Sequence, residues 1–471
     1  MILKQYCLGC LSHFSYLIGD QASGTAAVVD PQRDVEQYLV DARQLGLTIR
    51  HVLLTHFHAD FISGHLELRE RTGAAIHMGA SARADFPIAA LADGAALAWG
   101  DVRIVALATP GHTPESTSYV VYDLARSGAA PHAVLTGDTL FLGDVGRPDL
   151  LASIGVAAQD LAGMLYDSVH AKLLALPDAT LVYPAHGAGS MCGKSLSKDS
   201  VSTIGTQRQT NYALQPMPRQ QFIALVTKDQ PEAPRYFAHD ATLNRRTRPT
   251  LDRHLRDVLK PLALEDVLRL ANAGAQVIDS RDPAEFEAAH LIGSLNFGLG
   301  GKFETWLGTL LDPSLPAVIV AAPGREHETA VRMGRIGFDQ ISGFLSGGVG
   351  ALAPRRDLVG RTARIEAPAL ARELARAEPP IVLDVRAASE WQERHIARSL
   401  NIPLHQLPQR LHEVPRDQHL VVHCQSGYRS AIATSLLKQR GILEVEDVVG
   451  GIQAWEAAQL AVVNGAAAHP R

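Results

Sequence analysis

The amino-acid sequence predicts a multi-domain α/β protein. With 471 residues, the chain is long enough for roughly three domains of the usual size of about 100–200 residues. Up to about Gly189, short apolar runs end in polar, His-rich turns, a pattern that is typical of buried strands. Beyond residue 262 the chain contains two copies of a second pattern, in which strands alternate with helices.

The composition excludes several classes of function. Hydrophobic residues make up 46% of the chain and charged residues 20%, as in globular proteins that form several cores. The net charge of -5 offers no basic excess for a nucleic acid or a membrane surface. Four scattered cysteines indicate a reducing compartment, and no signal peptide or apolar run of about 18 residues is visible. We therefore expect a cytoplasmic protein that binds neither nucleic acid nor membrane.

Candidate metal ligands follow four predicted strands of the N-terminal part. The apolar runs at 52–54, 104–107, 133–135 and 181–183 are followed, in this order, by His56, His58 and Asp60, by His112, by Asp138 and by His186. Since a sheet's core holds the strand ends rigidly together, polar side chains at these ends converge on one cleft. The sequence therefore predicts a metal site.

The string THFHADF at residues 55–61 resembles the H-x-H-x-D-H motif of the metallo-β-lactamase superfamily. The resemblance covers roughly residues 1–250 and implies an αββα sandwich, which we assign to residues 1–255 with a C-terminal extension. Phe61 stands where the two-metal hydrolases of the superfamily have a His. In those enzymes Asp60, that His, His186 and a bridging Asp138 would bind the second ion, so the departure favours one metal.

By the same resemblance, His56, His112 and Asp138 form the first metal site. Two imidazoles and one carboxylate leave positions open on Fe(II) for a substrate and O2. We expect one Fe(II) per chain on this triad, with His58, Asp60 and His186 as further candidates beside it. If His58 also binds, hydrolysis by zinc becomes more plausible.

The segment GDTLFLGDVGRPD at residues 137–149 resembles that of persulfide dioxygenases, which keep a mononuclear iron on such a triad. This resemblance implies that O2 oxidises a low-molecular-weight thiol persulfide to sulfite and thiol. Arg147 lies in this segment, and its planar fork suits either a substrate carboxylate or phosphate, or a salt bridge. Cys192 follows His186 in a Gly-rich loop, where it either carries sulfur or packs as a small apolar side chain; packing is favoured.

The repeat of the C-terminal part appears when the chain is shifted by 105 residues. Seven residues then coincide with identical ones: Asp279, Arg281, Glu285, His290, Ser294, Leu295 and Asn296 with Asp384, Arg386, Glu390, His395, Ser399, Leu400 and Asn401. Farther on the offset becomes 103, as a two-residue loop deletion would produce. Each copy predicts strand, helix, strand and a Gly-containing loop that opens a helix, which indicates a parallel sheet.

Cys424 lies at a predicted strand-to-helix turn, in CQSGYRS at residues 424–430. Loop N–H groups, the helix dipole and Arg429 stabilise a thiolate there, so we predict Cys424 as a nucleophile. The loop resembles the C-x-x-x-x-R loop of the rhodanese family, whose sulfurtransferases pass sulfane sulfur through a cysteine persulfide. By this resemblance Arg429 is catalytic, and the substrate-binding loop residues are Gln425, Ser426, Gly427 and Tyr428.

The two copies differ at the nucleophile. We assign the active rhodanese domain to residues 362–465, where LDVR at 383–386 and VGGIQAW at 449–455 also resemble the family. In the first copy, residues 262–357, Ala321 stands where Cys424 stands in the second. No persulfide can form there, so we expect a catalytically silent module that serves packing, spacing or dimer contact.

Together the resemblances predict a persulfide dioxygenase–rhodanese fusion, a bifunctional sulfide-detoxification enzyme. Sulfite made at iron would receive sulfane sulfur from the Cys424 persulfide and leave as thiosulfate; the reverse order is equally allowed. One alternative is a zinc-dependent, glyoxalase-II-like thioester hydrolase fused to a sulfurtransferase, and another is a non-enzymatic sulfur relay. We expect the chain to form a homo-oligomer.

Overall fold

The structure is a computed structural model that describes residues 1–150, 155–194, 196–228, 230 and 233–465. The chain divides into two compact units. The first comprises Met1–His254 with Met333–Phe338, and the second comprises the rest of the described chain. In the described ranges, no helix has the length and the apolar composition needed to cross a membrane.

The first unit contains two six-stranded sheets whose strands follow one another in chain order. The strands of the first sheet are β1 (Ile2–Leu8), β2 (His13–Asp20), β3 (Thr25–Val29), β4 (Thr48–Leu53), β5 (Ala75–Gly79) and β6 (Ala89–Leu91). Those of the second are β7 (Ala96–Trp99), β8 (Val102–Ala108), β9 (Thr117–Asp123), β10 (Ala133–Gly137), β11 (Leu181–Pro184) and β12 (Ser202–Thr203). The helices that begin in this unit are α1 (Glu36–Gln44), α2 (His65–Thr72), α3 (Ala158–Asp167), α4 (Ile204–Thr210), α5 (Arg219–Thr227), α6 (Tyr236–Leu243) and α7 (Leu251–Val258).

Successive side chains along the strands point to opposite faces of each sheet, and this produces the layers of the first unit. Ile18 of β2 and Val121 of β9 pack in one apolar cluster that both sheets share. Their neighbours Leu17 and Val120 pack on the opposite faces, in clusters that include residues of α1 and α2 or of α3 and α5. Because side chains alternate between the faces of a strand, each sheet buries both faces. The predicted αββα sandwich is therefore confirmed.

The second unit contains two five-stranded sheets of identical strand order, β13-β18-β17-β14-β16 and β20-β24-β23-β21-β22, and a small pair, β15-β19. The strands are β13 (Pro261–Leu262), β14 (Gln276–Asp279), β15 (His290–Leu291), β16 (Leu295–Asn296), β17 (Ala317–Val320), β18 (Ile341–Leu345), β19 (Val359–Gly360), β20 (Ala363–Ile365), β21 (Ile381–Asp384), β22 (Leu400–Asn401), β23 (Leu420–His423) and β24 (Val445–Val448). The helices are α8 (Leu264–Asn272), α9 (Pro283–Ala288), α10 (Phe303–Leu310), α11 (Glu326–Arg335), α12 (Ala367–Leu374), α13 (Ala388–Glu393), α14 (Tyr428–Gln439) and α15 (Gly451–Ala457).

The residues that the two copies share hold the same turns in place. Nη2 of Arg281 lies 2.6 Å from Oδ2 of Asp279 in the first copy, and Nη2 of Arg386 lies 2.6 Å from Oδ2 of Asp384 in the second. Both guanidinium groups also donate to a main-chain carbonyl eight residues further along the chain. Buried ion pairs of this kind, which also bond to the main chain, fix the path of the main chain in the turn. Two rhodanese-like α/β folds in tandem are thus confirmed.

Candidate functional site

The candidate ligands of the first unit lie together in loops that follow four strands. His56, His58 and Asp60 follow β4, His112 follows β8, Asp138 follows β10 and His186 follows β11. Nε2 of His112 lies 3.5 Å and Nε2 of His56 lies 3.9 Å from Oδ2 of Asp138. All three side chains are buried. Donor atoms at this spacing surround a volume that suits an ion with bonds of about 2.0–2.2 Å.

The carboxylate of Asp138 provides the test of whether a cation fits. Its Oδ2 is buried and has no hydrogen-bond partner among the described residues. A buried polar atom without a partner is unfavourable, and a carboxylate oxygen that faces two imidazole nitrogens lacks a positive partner. The donor set of two nitrogens and one oxygen suits a divalent transition metal. The triad therefore fits a metal ion.

The His56 ring is oriented by Thr55 and Asp30. The Thr55 hydroxyl lies 2.8 Å from Oδ2 of Asp30, to which it donates, and 2.9 Å from Nδ1 of His56. Because the hydroxyl hydrogen points to Asp30, its oxygen accepts the proton of His56 Nδ1. The Nε2 lone pair of His56 then faces Asp138. Burial and the neighbouring His58 hold the pKa of His56 well below its usual value, so the ring is neutral, as a metal ligand must be.

The His112 ring is oriented by the main chain. Its Nδ1 donates to the carbonyl oxygen of Arg147 at 2.9 Å, which directs the Nε2 lone pair towards Asp138. Burial lowers the pKa of His112 below its usual value. This approach of the two loops requires Gly146, because a Cβ there would lie 1.9 Å from the carbonyl oxygen of Asp138 and 3.0 Å from Nδ1 of His112.

His186 lies between two carboxylates. Its Nδ1 is 2.7 Å from Oδ1 of Asp138 and its Nε2 is 2.8 Å from Oδ2 of Asp60. Burial disfavours the charged form, but the two carboxylates raise the pKa of His186 well above its usual value. For Asp138, burial is likewise outweighed by His186 and by the other imidazoles, which hold its pKa well below the usual range. Asp138 is thus an ionised candidate ligand that is hydrogen-bonded to His186.

A second group of possible ligands lies beside the triad. Donor atoms of His58, Asp60 and His186 lie within 4.8 Å of one another. The buried ring of Phe61 packs against this group, with its centre 4.4 Å from the centre of the His58 ring. An apolar ring supplies no ligand, and both nitrogens of His186 already face carboxylates. The second group is therefore poorer in available donors than the triad.

In the structure, the Arg147 side chain binds Asp149 of its own loop. Its Nε and Nη2 donate to the two carboxylate oxygens of Asp149 at 2.7 and 2.8 Å, and its Nη1 donates to the carbonyl oxygen of Met191. The side chain is buried. Arg147 therefore forms a partly buried salt bridge with Asp149, and its bond to the Met191 carbonyl connects the Asp138 segment to the loop before Cys192. A role of Arg147 in substrate binding stays a prediction.

Cys192 lies beside the candidate metal ligands rather than at the surface. Its sulfur and donor atoms of Asp138 and His186 lie within 4.8 Å of one another, and the residue is buried. Burial, followed by the charges of Asp60 and Asp138, raises the pKa of the thiol well above its usual value. A neutral thiol packs well but is a poor nucleophile. This agrees with the packing role that the sequence favours, which stays a prediction.

Cys424 lies between β23 and the first turn of α14. Gly427 adopts a φ of +105° at the start of this helix, and its N–H donates to the Cys424 sulfur at 3.2 Å. The hydroxyl of Ser430 lies 3.6 Å from the same sulfur. Both donors lie in or at the start of the first turn of the helix that follows the thiol. The loop thus has the geometry of a nucleophile's site.

Arg429 is held by a residue that sequence reasoning did not single out. Its Nη1 and Nη2 donate to the carboxylate of Glu390 at 2.7 and 2.8 Å. Burial opposes the charged form of Arg429, but this carboxylate raises its pKa above the usual value. Gln425 is half-buried and Ser426 is exposed, so both border the loop.

The silent copy preserves the loop geometry without the thiol. A Cβ on Gly451, whose φ is +60°, would lie 2.5 Å from the Cys424 carbonyl oxygen. In the first copy, a Cβ on Gly348 would lie 2.9 Å from the carbonyl oxygen of Ala321. Both glycines allow the same close approach between a loop and a strand end. The first copy therefore has Ala321 in place of Cys424 but keeps the same approach between the loop and the strand end.

The silent copy also contacts the Cys424 loop. The hydroxyl of Tyr428 donates to the carbonyl oxygen of Gly298 at 2.9 Å. A Cβ on Gly301 would lie 2.3 Å from the Tyr428 ring, so this glycine provides the space for the ring. Both glycines lie in the segment between β16 and α10 of the silent copy. Tyr428 therefore fixes the loop against the neighbouring copy.

Several residues that position these sites carried weak signals in the sequence. Asp30 directly follows the apolar strand β3, just as the candidate ligands follow β4, β8, β10 and β11. A search for polar residues after apolar strands would therefore have found it. Glu390 is one of the seven identities of the repeat. Gly146 has no sequence signal beyond its nearness to Asp138, because the close approach that requires it exists only in the folded chain.

Two family models match the parts of the chain that carry these candidate sites. Residues 8–186 match the family described as "Metallo-beta-lactamase superfamily". Residues 263–353 and 367–458 both match the family described as "Rhodanese-like domain".

Similar proteins include two classes of enzyme. "Persulfide dioxygenase ETHE1, mitochondrial" from Bos taurus is 32% identical over 209 residues, which are 43% of this chain and 71% of that protein. "Hydroxyacylglutathione hydrolase" from Rhodospirillum rubrum is 30% identical over 234 residues, which are 49% of this chain and 81% of that protein. A crystal structure of a metallo-beta-lactamase from Staphylococcus aureus is similar with a TM-score of 0.64 and 30% identity, over 73% of this chain and 98% of that one.

Proposed function

This chain belongs to the metallo-beta-lactamase superfamily, its homologues include ETHE1 proteins, and it has the architecture of an ETHE1–rhodanese fusion. From this architecture we propose that the chain couples persulfide oxidation to sulfur transfer. In this proposal O2 oxidises a low-molecular-weight thiol persulfide to sulfite and thiol at the metal centre. The Cys424 thiolate takes the outer sulfur of a second persulfide molecule, whose S–S bond breaks and whose thiol leaves. The Cys424 persulfide then transfers this sulfur to sulfite, and thiosulfate leaves while the Cys424 thiolate is restored.

The buried, unpartnered Oδ2 of Asp138 carries the first half of the proposal. This atom and the Nε2 atoms of His56 and His112 leave room for one ion, and a set of two imidazoles and one carboxylate favours Fe(II). Bound Fe(II) would supply the activation of O2. We propose one iron per chain, because Phe61 offers no ligand for a second ion.

The surrounding residues would prepare the site for a persulfide. Thr55 and the Arg147 carbonyl oxygen hold the two imidazoles in the tautomers that present Nε2. His186 holds the carboxylate of Asp138 ionised. The buried Cys192 keeps the neighbourhood of the metal free of a charged thiolate.

The loop after β23 carries the second half of the proposal. The Gly427 N–H and the Ser430 hydroxyl face the Cys424 sulfur, and they would stabilise the thiolate that attacks sulfane sulfur. Arg429, held by Glu390, would attract anionic donors such as thiosulfate. We further propose domain bounds of 1–255, 262–357 and 362–465, the middle domain being silent.

A second candidate function is thioester hydrolysis by a zinc pair. The donors of His58, Asp60 and His186 within 4.8 Å of one another favour it, and so does the similarity to a hydroxyacylglutathione hydrolase. Phe61 and the carboxylate partners of both His186 nitrogens disfavour it. The cytoplasmic location, the homo-oligomer and the lack of nucleic-acid or membrane binding stay predictions.

Oxygen uptake distinguishes the two candidates. Anaerobically iron-loaded protein is given the persulfides of glutathione, cysteine and coenzyme A in turn, and zinc-loaded protein is given S-lactoylglutathione. We expect oxygen uptake with at least one persulfide and no thioester hydrolysis. His112→Ala should abolish this uptake, whereas His132→Ala, outside the cleft, should preserve it. Thioester hydrolysis by the zinc form without oxygen uptake by the iron form would contradict the proposal.

A further inference from the structure

Asn244 directly follows α6 and bonds to the turn between β4 and α2. Its side chain is fully buried, and its main-chain N–H donates to the Asp240 carbonyl oxygen at 2.9 Å, so α6 fixes its position. Nδ2 of Asn244 donates to the carbonyl oxygens of His58 at 2.8 Å and of Phe61 at 2.7 Å. Oδ1 accepts the N–H of Ser63 at 2.9 Å. One side chain therefore binds three main-chain groups of this turn.

These partners allow only one orientation of the Asn244 amide group. An amide group donates two hydrogens from its nitrogen and accepts with its oxygen, and here two carbonyls face one end while an N–H faces the other. The reversed orientation would place the amide oxygen against two carbonyl oxygens. The bonds are therefore satisfied only with Nδ2 towards His58 and Phe61.

The two carbonyl groups that Asn244 binds lie on either side of Asp60. Residues 58–62 lie between β4 and α2, outside both, so bonds from other segments must hold them. The Asp60 side chain is only 4% exposed, and its Oδ2 lies 2.8 Å from Nε2 of His186. By fixing the main chain before and after Asp60, Asn244 determines where this carboxylate meets His186.

His186 carries this constraint to the carboxylate of the triad. Nδ1 of His186 donates to Oδ1 of Asp138 at 2.7 Å, which leaves Oδ2 of Asp138 towards the two imidazoles of the triad. Partners of this kind orient a metal-binding carboxylate. Asp60 in turn holds the other nitrogen of the His186 ring. Hydrogen bonds, joined by the main chain of the turn, thus connect Asn244 with the proposed metal site.

We propose that Asn244 is a positioning residue of the metal site: by holding the main chain on both sides of Asp60, it keeps Asp60 on His186 and the triad carboxylate turned towards the ion. The proposal rests on the metal site proposed above. Asn244 acts from the C-terminal extension of the first unit, through the turn, and not as a ligand.

The loss of Asn244 should leave the extension attached. Arg248 of the same extension donates to the Ser63 carbonyl oxygen at 2.6 Å and to the buried carboxylate of Glu67 at 3.1 Å. The buried side chain of Phe237 anchors α6. We therefore expect Asn244→Ala to fold, with the main chain around Asp60 released.

The test measures metal binding rather than turnover. Fe(II) is partitioned anaerobically between the full chain and a chelator, and the visible absorption of Co(II)-loaded protein reports the geometry of the ligands. Asn244→Ala should bind Fe(II) about 10–100-fold more weakly than wild type, because loss of a partner that orients a ligand has an effect of this size. The Co(II) absorption bands should shift as well.

Asn296→Ala is the matched control. Asn296 in the second unit is also fully buried, and its Nδ2 donates to the carbonyl oxygens of Asp279 and Arg281 at 3.2 and 3.1 Å. This variant loses the same kind of bonds in a unit that does not carry the triad. Its Fe(II) affinity and Co(II) absorption should equal those of wild type.

A double-mutant cycle separates positioning from a purely structural role. If Asn244 acts through Asp60, the double variant should bind Fe(II) within twofold of Asp60→Ala alone. Losses that multiply, or an affinity of Asn244→Ala within twofold of wild type, would overturn the proposal.

A second variant covers the case in which Asn244→Ala does not fold. Asn244→Asp keeps the shape and the acceptor for Ser63 but lacks the amide hydrogens, so it takes the same place in the cycle and is judged by the same outcomes. Iron binding of wild-type strength by His112→Ala would instead refute the proposed triad, and this proposal with it.

Discussion

Thr55→Val should weaken metal binding without removing a ligand. The Thr55 hydroxyl donates to Asp30 at 2.8 Å and accepts from Nδ1 of His56 at 2.9 Å. Valine has nearly the same shape, and the Thr55 N–H bond to Asp30 persists because it belongs to the main chain. The substitution therefore removes two hydrogen bonds and leaves the packing in place.

The magnitude follows from what the removed hydroxyl leaves behind. The buried Nδ1–H of His56 loses its acceptor, which costs about 1–3 kcal/mol in the free energy of unfolding. The imidazole also loses the partner that fixes its orientation, and loss of such a partner lowers metal affinity about 10–100-fold. At about 1.4 kcal/mol for each factor of ten, this corresponds to about 1.4–2.8 kcal/mol of binding free energy.

The assay is anaerobic competition for Fe(II) between the protein and a chelator, together with urea unfolding of the metal-free protein. Thr242→Val is the matched control, because its exposed hydroxyl bonds only to the Ala238 carbonyl within α6. Thr55→Val should bind Fe(II) about 10–100-fold more weakly than wild type, and the control should not differ. An unchanged affinity in Thr55→Val would refute the assignment of His56 as an oriented ligand.

Three further predictions address individual side chains. His112→Ala should lose both bound iron and persulfide-dependent oxygen uptake while it retains sulfur transfer, because the two sites lie in different units; iron retained at full occupancy would contradict its role as a ligand. Cys192→Ser should lower the melting temperature yet keep the oxygen turnover of each bound iron, and a large loss of turnover at full iron content would contradict the packing role. Burial holds the pKa of His290 at about 4, below its usual 6.5, so unfolding takes up a proton and stability falls as the pH drops from about 6.5 to 4. Urea unfolding of His290→Phe should show a shallower fall over this range, and an equally steep one would contradict this.

The layers of the fold were predictable because they depend on local patterns. The apolar runs before His56, His112, Asp138 and His186 correspond to β4, β8, β10 and β11. Packing of the sheet fixes the positions of its strand ends, so the candidate ligands that follow these strands were expected to lie near one another.

What the sequence did not reveal depends on contacts between distant segments. Asp30 orients Thr55 from 25 residues away, and Gly146 is needed only because its loop crosses the main chain of Asp138. Arg147 and Arg429 both suggest an anion site by their type, yet each already has a carboxylate partner in the fold. A residue type indicates a possible partner, and only the folded chain shows which one it has.

The repeat also shows that the sequence alone does not reveal what each residue does in the folded chain. Its seven identities predicted a shared α/β fold, and the Asp and Arg pairs among them hold the same turn in both copies. At the position of the predicted nucleophile the two copies differ, with Ala321 in the first and Cys424 in the second. The identical Asp and Arg pairs therefore report the shared fold, whereas Glu390, also one of the identities, holds Arg429 of the predicted active copy.

The products formed by the Cys424→Ser variant test the central claim most directly. Iron-loaded wild-type protein and this nearly isosteric variant are supplied with glutathione persulfide and O2, and sulfite and thiosulfate are quantified alongside oxygen uptake. The coupling of the two sites predicts thiosulfate from wild type, and from the variant undiminished oxygen uptake with sulfite in place of thiosulfate. Thiosulfate formed by the variant above the non-enzymatic rate of sulfite with persulfide would contradict the coupling through Cys424.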